Sequence, residues 1–178
     1  MDIQQALKNI LPFVQRPSRY IGKETGIALK TNFALNIALC YPDLYEIGMG
    51  NLALQILYER VNQTPNFLAQ RVFAVWPDME EKLKEAQIPL YTLENYTPLN
   101  QLDVLAFTLP FELVFTNVLA VLELGQVPLF SKDRTENHPF VLGGGPVCAN
   151  PEPLAPFFDA FLIGEGEKAI IQALETIH

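Results

Sequence analysis

Two short, nearly all-apolar runs, 34–40 (ALNIALC) and 103–109 (DVLAFTL), constrain the fold of this chain most. A strand that is apolar on both sides is covered on both faces, as strands of parallel sheets are. Helix-like segments separate the runs. Residues 51–61 carry Leu52, Ile56 and Leu57 near helical spacing, with Asn51 placed to cap the start. Residues 78–86 form a charged amphipathic helix behind Pro77, and 111–124 form an apolar helix that stops at Gly125. Further strands are expected at 70–75, 89–92, 140–142 and 159–163, and a last helix at 165–177. Strands that alternate with helices in this way build βαβ units on a parallel sheet.

The first 32 residues differ. A short helix over 2–11 meets Pro12, and 12–32 carry Pro17, Gly22 and Gly26 and read as an extended arm. The expected organisation is therefore an arm, 1–32, and one α/β domain, 33–178. A length of 178 residues and a hydrophobic content of 49% suit a single real core. Charged residues make up 18%, against roughly 25% in ordinary soluble domains. A surface so poor in charge fits one that another domain partly covers.

The net charge of −8 argues against binding a phosphate backbone. The basic residues Lys8, Arg16, Arg19, Lys23 and Lys30 are scattered along the arm. Cys40 and Cys148 lie far apart with no metal-ligand spacing, which favours a reducing, cytoplasmic setting. There is no signal peptide, and no apolar run of the roughly 18 residues that cross a membrane. The only histidines, His138 and His178, compose neither a triad nor a zinc site. No catalytic or metal-binding residue is expected.

In parallel α/β folds ligands sit beyond the carboxyl ends of the strands. That directs attention to 41–50, 108–112, 143–151 and 164–167. The first holds Asp43-Leu44-Tyr45-Glu46-Ile47-Gly48, of the form D-x-Y-x-x-G. The second holds Thr108 and Leu109 before Pro110. The third opens on Gly143-Gly144-Gly145, where backbone can approach a ligand closely. Glu165 and Glu167 in the fourth suit a helix N-terminus and disfavour a phosphate there. Each segment also reads as an ordinary strand-to-helix turn. The 111–124 helix is apolar nearly all round, as a central core helix or a docking surface would be.

Taken together and in order, these segments resemble the N-terminal, cobalamin-binding-like region of radical S-adenosylmethionine (radical SAM) proteins. The carrying stretches are RYIG (19–22), YPDLYEIGMGNLALQILYERVN (41–62), RVFAVWPDME (71–80), FTLPFELVFTNVL (107–119) and GGGPVCANPEPLAPFFDAFLIGEGE (143–167). The resemblance implies a Rossmann-like, doubly wound, cobalamin-binding-like sheet of about five mostly parallel strands with an N-terminal helical arm. It implies an accessory domain, not catalytic alone, in a longer protein. A downstream radical SAM domain would be its partner and would carry a C-x-x-x-C-x-x-C motif, a four-iron four-sulfur cluster and S-adenosylmethionine. Neither nucleic acid nor membrane is an expected partner.

The same resemblance suggests cobalamin as a cofactor. Related cobalamin loops read D-x-H-x-x-G, and the histidine ligates cobalt. Tyr45 stands at that place, so a cobalamin here lacks a histidine lower ligand. Asp43, Tyr45 and Gly48 would lie near the lower face of the corrin. Thr108, Leu109, Gly143 and Gly144 would line the pocket for the nucleotide tail. The alternative is a cofactor-free module that recognises a substrate or partner and packs on the radical SAM domain.

Overall fold

The computed structural model describes residues 2–28 and 30–178. Five strands form one sheet: β1 (Leu35–Tyr41), β2 (Phe67–Phe73), β3 (Val104–Thr108), β4 (Phe140–Gly144) and β5 (Ala160–Leu162). Their order is β2-β1-β3-β4-β5, and every pairing is parallel. This is the doubly wound, Rossmann-like arrangement, with its switch point between β1 and β3. The two runs that the sequence marks as buried are β1 and β3 at its centre.

Among the described residues six α-helices accompany the strands: α1 (Ile3–Ile10), α2 (Tyr45–Met49), α3 (Leu52–Gln63), α4 (Pro77–Glu85), α5 (Phe115–Leu124) and α6 (Gly166–Ile177). Asn51 caps α3 by accepting a hydrogen bond from the Leu54 N–H at 3.0 Å. Pro77 opens α4, where a missing N–H costs nothing. Alternation along the strands sends side chains to two separate cores. Leu39, Ala106 and Leu142 meet Leu54, Tyr58 and Val61 of α3 and Ile170 and Leu174 of α6. Ala38, Cys40, Leu105 and Phe107 face the other way, toward Met79 and Leu83 of α4 and Val118, Val121 and Leu122 of α5. The apolar helix of the sequence is thus mostly core, although Leu113, in the turn before α5, is 86% exposed.

The N-terminal segment is fastened to the domain. Ile3, Leu7, Ile10 and Val14 are buried in the same core as α4 and α5. Three aromatic hydroxyls then bind the chain down: the Tyr91 hydroxyl donates to the Tyr20 carbonyl, the Tyr96 hydroxyl to the Ile21 carbonyl, and the Trp76 N–H to the Tyr20 hydroxyl.

The strand expected at 89–92 is not one. Only an isolated antiparallel bridge, Tyr91 to Pro98, forms there. The backbone groups go elsewhere: the Leu90 N–H donates to the Leu124 carbonyl and the Thr92 N–H to the Thr97 carbonyl. The segment is a buried turn, held against β2 by the Leu93 N–H on the Arg71 carbonyl and by Glu94, whose carboxylate accepts from the Arg71 N–H and Nε at 2.6 Å each.

Candidate functional site

Because all five strands run the same way, the segments after β1, β3, β4 and β5 share one rim. The strand pairings decide what lies beneath it. Leu39 pairs with Ala106, which pairs with Leu142; one step nearer the rim, Thr108 pairs with Gly144, which pairs with Leu162. These six residues point to one face and form a floor. Leu52, Ala53, Ile56 and Leu57 of α3 wall it on one side, and 164–167 with Ile170 of α6 wall it on the other. Between them is a hollow of about 360 Å³, within the usual range of ligand pockets of about 300–1,000 Å³.

The lining is aliphatic almost throughout. Thr108 supplies the only hydroxyl, and Glu165 and Glu167 stand at the helix end of the mouth. Gly144 is what keeps the floor open. A methyl group added there would meet nothing nearer than the Leu162 Cβ at 3.9 Å, so the backbone itself faces the hollow. Gly145 turns the chain away at φ +121°, and a Cβ there would lie 2.5 Å from the Leu109 carbonyl oxygen. Only glycine fits that close crossing.

Of the seven residues marked in the sequence, Thr108 and Gly144 line the hollow. Leu109 is fully buried in the opposite core, and its N–H donates to the Gly144 carbonyl at 2.7 Å. Gly143 is a packing position, its missing Cβ occupied by the rings of Phe161 (2.7 Å) and Phe158 (3.1 Å). Gly48 leaves room in the same way for the Phe73 ring at 2.3 Å. Asp43 borders a separate groove of about 350 Å³ on the other face, beside Ala74, Trp76, Glu80 and Asn117.

Tyr45 stands apart from the hollow. Its ring lies edge-on to Phe73, and its hydroxyl donates to the Glu24 carboxylate of the N-terminal arm. Burial, reinforced by that carboxylate, pushes the phenol up to about 12. A neutral phenol so engaged is a poor donor to a metal. Glu46 beside it accepts from Arg19 Nε at 2.8 Å and from Arg16 at 3.0 Å. The arm therefore holds the middle of the D-x-Y-x-x-G turn, at Tyr45 and Glu46.

Neither cysteine has the setting of a nucleophile. Both are buried, and burial pushes the Cys40 thiol well up and the Cys148 thiol up to about 11. Among the described residues, no three His, Cys, Asp or Glu side chains converge as metal ligands would. No described helix is long and apolar enough to cross a membrane.

Sequence reasoning marked the 164–167 wall of the hollow and missed the wall made by α3. The signal was present: Leu52 and Ile56 share a helical face, yet Leu52 is 67% exposed and Ile163 is 71% exposed. Apolar side chains left open beside a strand end are what a pocket mouth looks like.

Fold and hollow together define an α/β domain that presents a ligand-sized, apolar cavity at its strand ends. The family model for radical SAM proteins, N-terminal, matches residues 53–178, and the chain belongs to that family. It is also 28% identical over 135 residues to an uncharacterised protein of Methanocaldococcus jannaschii, MJ0966, a match that covers 74% of this chain and 24% of the relative. The matched part of the chain thus spans about a quarter of the length of that relative.

Proposed function

We propose that this chain is the accessory N-terminal domain of a cytoplasmic radical SAM enzyme, and that its hollow receives the nucleotide tail of a cobalamin held without a histidine lower ligand. A companion domain in the same protein would supply the four-iron four-sulfur cluster and S-adenosylmethionine. The observation that carries the reading is the hollow itself. It opens at the rim beside the switch point, where this fold places ligands, and its floor is bare backbone at Gly144. Two free, buried cysteines fit a reducing compartment.

The residues present fit one part of the cofactor. A flat, uncharged heterocycle suits aliphatic walls with a single hydroxyl, and Thr108 would orient it by a hydrogen bond. The carboxylates of Glu165 and Glu167 would repel the phosphodiester of the tail, so only its base would lie inside the hollow, with the phosphate held outside the mouth. Tyr45 would not ligate cobalt, since its hydroxyl is committed to Glu24. When bound, a cobalamin supplies methyl-transfer or radical chemistry; this domain would bind, orient and shield it.

Hydroxocobalamin mixed with the purified protein and then desalted tests this. The expected result is retained visible absorbance with the spectrum of a cobalamin whose base is displaced. A colourless protein rejects it. In that event the cofactor-free reading, a module that only packs on the radical SAM domain, gains from the apolar side chains left exposed around the mouth.

A further inference from the structure

Among the described residues, eleven large apolar side chains are exposed, and six of them stand on the carboxyl rim of the sheet: Ile47, Leu52, Ile56, Phe111, Leu113 and Ile163. They come from three segments remote in sequence, brought together, along with 145–152, by the parallel topology. The charge of those segments is one-sided. Residues 42–57, 109–114, 145–152 and 163–167 contain Asp43, Glu46, Glu112, Glu152, Glu165 and Glu167 and no lysine or arginine; Lys168 is the first base beyond them. Glu46 is paired with Arg16 and Arg19 of the arm. Glu112, Glu152, Glu165 and Glu167 are exposed and enter no ion pair among the described residues.

We infer that this rim is the face that docks on the downstream radical SAM domain, through an apolar centre ringed by acids that meet lysines and arginines of that domain. The inference rests on the reading that such a domain follows in the same protein, and the relative, roughly three times as long as this chain, leaves room for one. An apolar patch with a charged margin is the usual anatomy of a specific interface. The one-sided charge selects among occupants. A second copy meeting this rim with its own would set acids against acids, and an anionic lipid surface or a nucleic acid would be repelled. A basic-margined protein face is attracted.

Zero-length carbodiimide cross-linking of the full-length protein, read by mass spectrometry, tests the docking without reference to cobalamin. The expected products join Glu112, Glu165 or Glu167 to lysines beyond residue 178 within one molecule. They should be lost in the variant carrying Glu112→Gln, Glu165→Gln and Glu167→Gln. Links confined to residues 1–178, or found only between two copies, overturn the inference. Hydrogen exchange of the same full-length protein gives a second measurement: Leu113→Lys with Ile163→Lys should speed exchange in 52–57 and 109–114, and unchanged exchange there also overturns it. A colourless protein that still gives the cross-links removes the cofactor and keeps the interface. A coloured protein without them does the reverse.

Discussion

Three consecutive glycines, Gly143, Gly144 and Gly145, do three different things. Gly143 yields space to two phenylalanine rings, Gly144 leaves a floor open, and Gly145 permits a left-handed turn under a carbonyl. Alanine at Gly145 would combine the strained φ with a 2.5 Å clash against the Leu109 oxygen. It should cost about 1–3 kcal/mol or more. Alanine at Gly144 meets no obstacle and should be neutral or stabilising by up to about 1 kcal/mol. Urea unfolding of the two variants checks the contrast; equal losses would mean that the run is only a flexible turn. Read from the sequence alone, Gly143 and Gly144 share one pocket-lining role and Gly145 has none. What separates them is the side of the sheet each faces and the neighbour above it, and neither is visible without the strand pairings.

At the scale of elements, the turn at 89–97 is tied to β2 by a buried ion pair. The side chains of Arg71 and Glu94 are 8% and 1% exposed, and the Arg71 guanidinium also stacks over the Tyr58 ring at 4.3 Å. Burial pushes the Glu94 carboxyl up against the pull of Arg71. Breaking such a pair from one side leaves a desolvated charge behind. Glu94→Ala should therefore destabilise the fold by about 3–5 kcal/mol in chemical unfolding. A loss below 1 kcal/mol would show that water reaches the guanidinium. The pair also explains why 89–92 was misread. Pro89, Leu90, Tyr91 and Thr92 form a mainly apolar run, which is a strand signal. Its backbone partners, Leu124 and Thr97, belong to a helix end and a local turn, and no periodicity reports that. The alternation of β1, α3, β2, α4, β3 and α5 was legible because a strand covered on both faces must be apolar along its length. The hollow was half legible: the strand-end loops announce the rim, whereas its walls depend on which faces of α3 and α6 oppose each other.

For the whole molecule, the phenols act in concert. All six tyrosines, Tyr20, Tyr41, Tyr45, Tyr58, Tyr91 and Tyr96, hold their protons above the ordinary range, each first through burial. A group whose folded pKa is raised contributes stability that is whole below its unfolded value, about 10 for tyrosine, and fades as pH climbs toward the folded value. For Tyr45 that window runs from about 10 to about 12. Alkaline titration followed by ultraviolet absorbance should show little tyrosinate until the protein unfolds, and then a single steep rise coincident with loss of circular dichroism. A gradual rise near the ordinary pKa, with the fold intact, would show that the rings are in contact with water.

The binding of residues 3–21 to partners near residues 76–96 sets the order in which a ribosome's product can become ordered. Helix α1 has no surface to rest on until β2 and α4 have left the exit tunnel, and its tyrosine clasps wait longer still, for residues 91 and 96. During synthesis residues 3–21 are therefore a tether seeking their seat. Proteases and chaperones meeting the nascent chain would encounter the apolar face of that helix bare well before the domain closes over it.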